Sequence, residues 1–147
     1  MPGLFAIQAP GEWPRVDKWN SIRWMAPNSM LLKSGVCKPG ADPQEGTGYY
    51  GIHLLTPETE HTTRYHFTAV RWNVLTQGDM LNQEIREKIS VTRRFAFPDQ
   101  DAPVIEAQQA AIDQANESLD PLLLSIDIGP VRYKRILERL IAQEQAA

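Results

Sequence analysis

Phe95-Ala-Phe-Pro-Asp-Gln-Asp-Ala-Pro-Val-Ile-Glu-Ala-Gln-Gln109 is the stretch where one helical pattern gives way to another. Pro98 is expected to stop the first helix, because proline has no N–H to donate. Pro103 suits the first turn of the second, where that N–H would have no partner anyway. Asp99 and Asp101 lie between them. Asp101 has two readings. It can cap the second helix by accepting its free backbone N–H groups near the positive end of the helix dipole. It can also be the one hard anionic oxygen that a mononuclear iron site sets beside two imidazoles.

Upstream, Leu81, Ile85 and Ile89 recur every four residues, with Glu84, Arg86, Glu87 and Lys88 between them. That spacing predicts a helix capped at Asp79 and reaching about Phe97. Downstream, Ile105, Ile112 and Ala115 carry the second helix from about Asp101 to Asn116. Pro121–Ile128 reads as a short apolar segment, extended or turn-like. Gly129-Pro130 opens the last helix, whose stripe of Tyr133, Ile136, Leu137, Leu140 and Ile141 is expected to be core. Arg132, Lys134, Arg135, Glu138 and Arg139 fall on its opposite face.

Before residue 79 the period is two. Tyr49–Leu55 and Thr62–Trp72 alternate as strands, turned by Thr56-Pro-Glu-Thr-Glu60. In the second strand Thr63, Tyr65, Phe67, Ala69 and Arg71 share one face, and Arg64, His66, Thr68, Val70 and Trp72 the other. One face is expected to cover a core or ligand cavity. Trp19–Met25 and Ser29–Cys37 read as a pair around Ala26-Pro-Asn28. Lys38–Gly48 is a loop without a phosphate-cradling motif. Residues 1–18 are expected to be loosely organised, with Leu4–Ile7 the candidate strand. Strands followed by helices give a single α+β domain over residues 1–147, an antiparallel sheet with a long C-terminal helix.

Composition narrows the function. Hydrophobic content of 42% and charged content of 22% are those of an ordinary globular domain. The net charge of −3 argues against nonspecific nucleic-acid binding. No apolar run is long enough to cross a bilayer and the first residues do not make a signal peptide, so a cytoplasmic location is expected. A Rieske cluster takes two cysteines and two histidines. Cys37 is the single cysteine, so this chain holds neither a cluster nor an internal disulfide, and Cys37 reads as a small structural residue.

Gln100-Asp-Ala-Pro-Val-Ile-Glu-Ala-Gln-Gln109 resembles the stretch of vanillate O-demethylase-type Rieske oxygenases that bears the iron-binding aspartate of their C-terminal catalytic domain. Asp101 falls on that aspartate, and Gln100 stands where the family usually has an acid. Ile22-Arg-Trp-Met-Ala-Pro27 and Leu31–Gly35 are similar to an early strand pair. His53-Leu-Leu-Thr-Pro-Glu-Thr-Glu60 with Thr62-Thr-Arg-Tyr65 is similar to a central hairpin, and Leu122–Arg132 to the approach to the last helix. The resemblance spans about Trp19 to Leu140.

The resemblance implies a helix-grip fold, in which the sheet wraps the C-terminal helix around a cavity. It implies a small aromatic substrate that is hydroxylated or demethylated at non-heme Fe(II), with electrons from a Rieske cluster. His53, Tyr65, His66, Phe67 and Trp72 are candidate cavity walls. The family's two histidine ligands sit on an upstream helix, and Met1–Lys18 contains no histidine. Iron is therefore not expected on this chain alone. A Rieske-domain or reductase partner would have to complete the machinery, and a homo-oligomer is a separate expectation.

Glu58, His61 and His66 imitate an acid-and-two-histidine iron motif in spacing. Residues five apart on a strand point to opposite faces, so the two histidines should not converge. Two main readings follow. One is the C-terminal part of an oxygenase with Asp101 as its surviving ligand. The other is a stand-alone helix-grip module that binds a small aromatic or apolar molecule without redox chemistry. A truncated product acting as an assembly partner is a third.

Overall fold

The computed structural model describes residues 8–115 and 122–146. Leu4–Ile7, Asn116 and Pro121 lie outside those residues. Four strands, β1 (Asp17–Met25), β2 (Ser29–Cys37), β3 (Thr47–Pro57) and β4 (Thr63–Trp72), form one antiparallel meander in the order β1-β2-β3-β4. All four match the strands expected from alternation, each within two residues at either end. Short turns suffice at 26–28 and 58–62 because neighbouring strands pair directly.

The register divides the sheet into two faces. His53 pairs with Phe67 and with Met30, and Met30 with Trp24. One face therefore carries Trp24, Leu32, Tyr49, His53, Tyr65 and Phe67. The other carries Trp19, Lys33, Tyr50, His66 and Trp72. On β4 the first face is half-buried and the second exposed at every step from Tyr65 to Val70. We call them inner and outer.

The helices follow: α1 (Asp79–Arg94), a seven-residue π-helical turn (Phe95–Asp101), α2 (Ala102–Gln114) and α3 (Ile128–Gln145). Pro98 does not end the helical path. It sits inside the π turn, whose wider winding accommodates a residue that lacks an N–H and would clash with a preceding carbonyl in a tight α-helix. Asp101 consequently has helical backbone angles (φ −78°, ψ −44°) and makes no side-chain capping bond. The capping reading of Asp101 is corrected on that ground. Asp79 is likewise the first residue of α1 rather than its cap, a place taken by Gly78.

Leu81, Ile85, Ile89 and Arg93 form the inner stripe of α1, with Ile85 fully buried. The expectation for α3 needs revision. None of its residues is fully buried, and Tyr133 and Ile141 are each 44% exposed. α3 meets the inner face through Tyr133, edge-on to Trp24 at 4.5 Å between ring centres. A helix anchored at one such corner leaves the rest of its stripe only half covered.

Residues 8–16 make no strand or helix, yet Ala9 is buried against Val36, with Trp13, Val16 and Tyr49 around them. Cys37 is buried as well, its thiol 3.6 Å from the Ala41 carbonyl. Burial raises its pKa, with Asp17, Asp42 and Glu45 adding to the effect. An inert structural thiol is what such surroundings produce.

Candidate functional site

Alternation on β3 and β4 delivers His53, Tyr65 and Phe67 to the inner face, and the π turn lowers Phe97 onto them. Phe97 lies 4.8 Å from Phe67, 5.4 Å from His53 and 5.7 Å from Tyr65 between ring centres. Tilted and edge-on approaches of this kind suit aromatic quadrupoles. His53 and Tyr65 are also hydrogen-bonded, Nδ1 to the phenol oxygen.

Arg93, one turn before Phe97, brings a charge into this apolar group. Its guanidinium lies 5.0 Å from the centre of the Phe67 ring and 5.2 Å from that of Phe97. It is 7% exposed, and its Nε and Nη2 have no hydrogen-bond partner. Gly51 makes the room: a Cβ there would stand 3.0 Å from Arg93 Nη1 and 3.1 Å from His53 Nε2.

Burial and the neighbouring Arg93 cation both lower the pKa of His53. Burial raises that of Tyr65, Arg93 opposing and Asp101 adding. Burial lowers that of Arg93, while Tyr49 and Tyr65 oppose. His53 is thus neutral and Tyr65 protonated near neutrality. With both groups uncharged, one proton is shared along the line from Nδ1 to the phenol oxygen, and the imidazole tautomer sets which of the two donates.

The His53 shift gives a pH dependence with a definite sign. Its folded pKa lies below the ordinary 6.5, so the unfolded chain takes up the proton first as pH falls through that value. Stability should therefore drop from pH 7.5 to 5.5. Urea midpoints at the two pH values, for the wild type and His53→Gln, measure it. The variant should lose part of the drop, and an unchanged drop would remove His53 as its source.

Two cavities flank the aromatic group. The first, about 520 Å³, is walled by Tyr65, Phe67, Phe97 and Ile105, with Asp101 and Gln109 among its polar groups. The second, about 480 Å³, is walled by Arg86, Arg93, Arg94 and Ser90. Phe67 and Pro98 belong to both walls.

The five cavity residues expected from the sequence divide between the two faces. His53, Tyr65 and Phe67 come together; Tyr65, Phe67 and Asp101 line the first cavity, whereas His53 lies buried behind Tyr65 and is not part of its lining. His66 is exposed on the outer face. Trp72 is also on that face, 5.6 Å from Trp19 between ring centres, with Lys33 Nζ 4.4 Å above its ring. Strand alternation forbids residues 65 and 66 from sharing a wall.

The Glu58, His61 and His66 constellation does not assemble. Glu58 pairs with Arg64 at 2.7 Å, and His61 with Asp113 at 3.2 Å. Among the described residues no three His, Cys, Asp or Glu side chains group to hold a metal ion. Phe97 and Arg93 were missed by the sequence reading. Both continue the four-residue spacing of Leu81, Ile85 and Ile89, and an arginine on an apolar stripe was the available signal.

The site can be set beside known proteins. The oxygenase component of chloroacetanilide N-alkylformylase from Rhizorhabdus wittichii is 32% identical over 130 residues, 88% of this chain and 36% of that protein. A crystal structure of dicamba monooxygenase bound to 3,6-dichlorosalicylic acid superposes with a TM-score of 0.75 at 29% identity, over 90% of this chain and 38% of the other. Another, of dicamba monooxygenase with non-heme iron and dicamba, gives 0.60 at 28% identity, over 89% and 39%. The chain thus spans a little over a third of the length of these relatives. Residues 1–143 match the family model described as the vanillate O-demethylase oxygenase C-terminal domain. With nearly the whole chain matched, this chain belongs to the vanillate O-demethylase oxygenase C-terminal domain family.

Proposed function

We propose that the chain supplies the aromatic-binding wall and one iron ligand of a Rieske-type oxygenase that hydroxylates or demethylates a small aromatic substrate. The observation that carries this is the juxtaposition of Tyr65, Phe67 and Phe97 with Asp101 around one cavity. Apolar walls with a few placed polar groups are what a small aromatic ligand needs. Dicamba monooxygenase takes ligands of this class, as the structure holding 3,6-dichlorosalicylic acid illustrates.

Iron is the cofactor such an activity would use, and Asp101 fits the role of its single carboxylate. The rest of the triad does not fit the residues described here. His53 Nδ1 is engaged by Tyr65, His61 by Asp113, and His66 faces outward. The described residues alone therefore do not complete an iron site. What its residues do is hold the ring among Tyr65, Phe67 and Phe97, with the protonated Tyr65 phenol backed by neutral His53. The two histidines and the Rieske cluster would come from a further segment or a partner chain, and a reductase would supply the electrons.

In this reading the sheet and α3 are two sides of a helix grip, and the protein works in the cytoplasm. No helix among the described residues is long and apolar enough to cross a membrane. The family match and the Asp101 stretch favour an oxygenase part over a binding module without redox chemistry. A thermal-shift titration with substituted benzoates and phenols tests the pocket. The midpoint should climb once ligand exceeds the dissociation constant, roughly 2.7 kcal/mol of stabilisation at a hundredfold excess. Phe67→Ala should flatten the rise. No response at millimolar ligand would refute the pocket.

A further inference from the structure

Arg93 is a buried cation that forms no ion pair among the described residues. It occupies the fourth position of the inner stripe of α1, where Leu81, Ile85 and Ile89 are apolar. Phe67 and Phe97 solvate it only through their ring faces. Its two unpartnered donors, Nε and Nη2, lie on one edge of the guanidinium and point in parallel. That edge is the one that matches both oxygens of a carboxylate.

The surroundings repeat the signal. The cavity that Arg93 helps to wall also carries Arg86 and Arg94, neither of them in an ion pair among the described residues, and no acid lines it. Phe67 and Pro98 wall this cavity and the aromatic one alike, and Arg93, which lines this one, stacks on the shared Phe67 ring.

We propose that Arg93 recognises the carboxylate of an aromatic ligand whose ring rests against Phe67 and Phe97, both oxygens accepting from Nε and Nη2. This rests on the aromatic-pocket reading above. Both nitrogens are shielded from solvent, so the carboxylate reaches them by shifting the Phe97 ring, the wall carried on the π turn. The guanidinium then sets specificity, because a neutral ring leaves its buried edge unpaired.

Calorimetric titration of the 147-residue chain with benzoate and with benzamide tests this. Benzoate should bind roughly tenfold or more tightly than its neutral isostere. Arg93→Met should bind the two alike, and Arg93→Lys should keep only part of the preference, since an ammonium cannot reproduce the fork. Without ligand, Arg93→Met should unfold at the same or higher urea concentration than the wild type, because an uncompensated buried charge has gone. Equal binding of both probes by the wild type would overturn the role of Arg93 while leaving the pocket intact. Binding of neither would overturn the pocket reading and this proposal with it. Should Arg93→Met fail to fold, the wild-type comparison and Arg93→Lys decide.

Discussion

Gly48→Ala is expected to destabilise the chain by roughly 3–5 kcal/mol, a large part of the stability of a domain this size. Gly48 faces Gly35 across the β2–β3 ladder. A Cβ at Gly48 would stand 2.0 Å from the Ser34 carbonyl oxygen and 2.6 Å from the Gly35 Cα. Both are backbone atoms of a central strand, so neither can swing aside as a long side chain would. Relief requires β2 and β3 to part where Trp72 crosses the sheet and its indole N–H donates to the Ser34 carbonyl at 3.3 Å. Gly11→Ala is the control, because nothing lies within 4 Å of a Cβ there. Urea unfolding should separate the two widely, and equal losses would contradict the packing of the glycine pair.

Ile85→Ala is the second large effect, on the order of 3–4 kcal/mol, the loss of a buried branched side chain plus the cavity it leaves. Ile85 is fully buried, within a helix whose outer positions are exposed. Leu137→Ala in α3 should cost roughly 1 kcal/mol, since that helix buries no residue fully and its neighbours can close over a half-covered site. The amphipathic spacing of α3, taken alone, makes Leu137 a full core position. A Leu137→Ala loss equal to that of Ile85→Ala would restore that reading.

The four strands were legible because alternation and turn residues act locally. Tyr65, Phe67 and Ala69 announce one face, and Thr56-Pro-Glu-Thr-Glu60 announces a turn, although Thr56 and Pro57 still belong to β3 and pair with β4. The family stretch was legible because its residues are distinctive in combination. What lay beyond the sequence depended on how elements meet. Pro98 would end an isolated helix, and only the wider π turn carries the path through to Asp101, which removes Asp101 from a capping role. His66 and Trp72 looked like cavity walls by residue type, although alternation already set them opposite Tyr65 and Phe67. Arg93 was hidden for another reason. Its burial is fixed by Phe67, Phe97 and Gly51, which come from different elements. The α3 stripe has proper amphipathic spacing, yet periodicity gives the direction of a face and not how completely it is covered.

The central claim is that a small aromatic ligand binds on the inner face, between β4 and the π turn. Side-chain NMR with labelled aromatic and histidine rings, during titration with 3,6-dichlorosalicylate, tests it most directly. The account predicts progressive shifts of Tyr65, Phe67, Phe97 and His53, with the outer-face rings Trp19, Tyr50 and Trp72 unmoved. Shifts confined to Trp19, Tyr50 and Trp72, or no shift of the four inner rings at millimolar ligand, would contradict it.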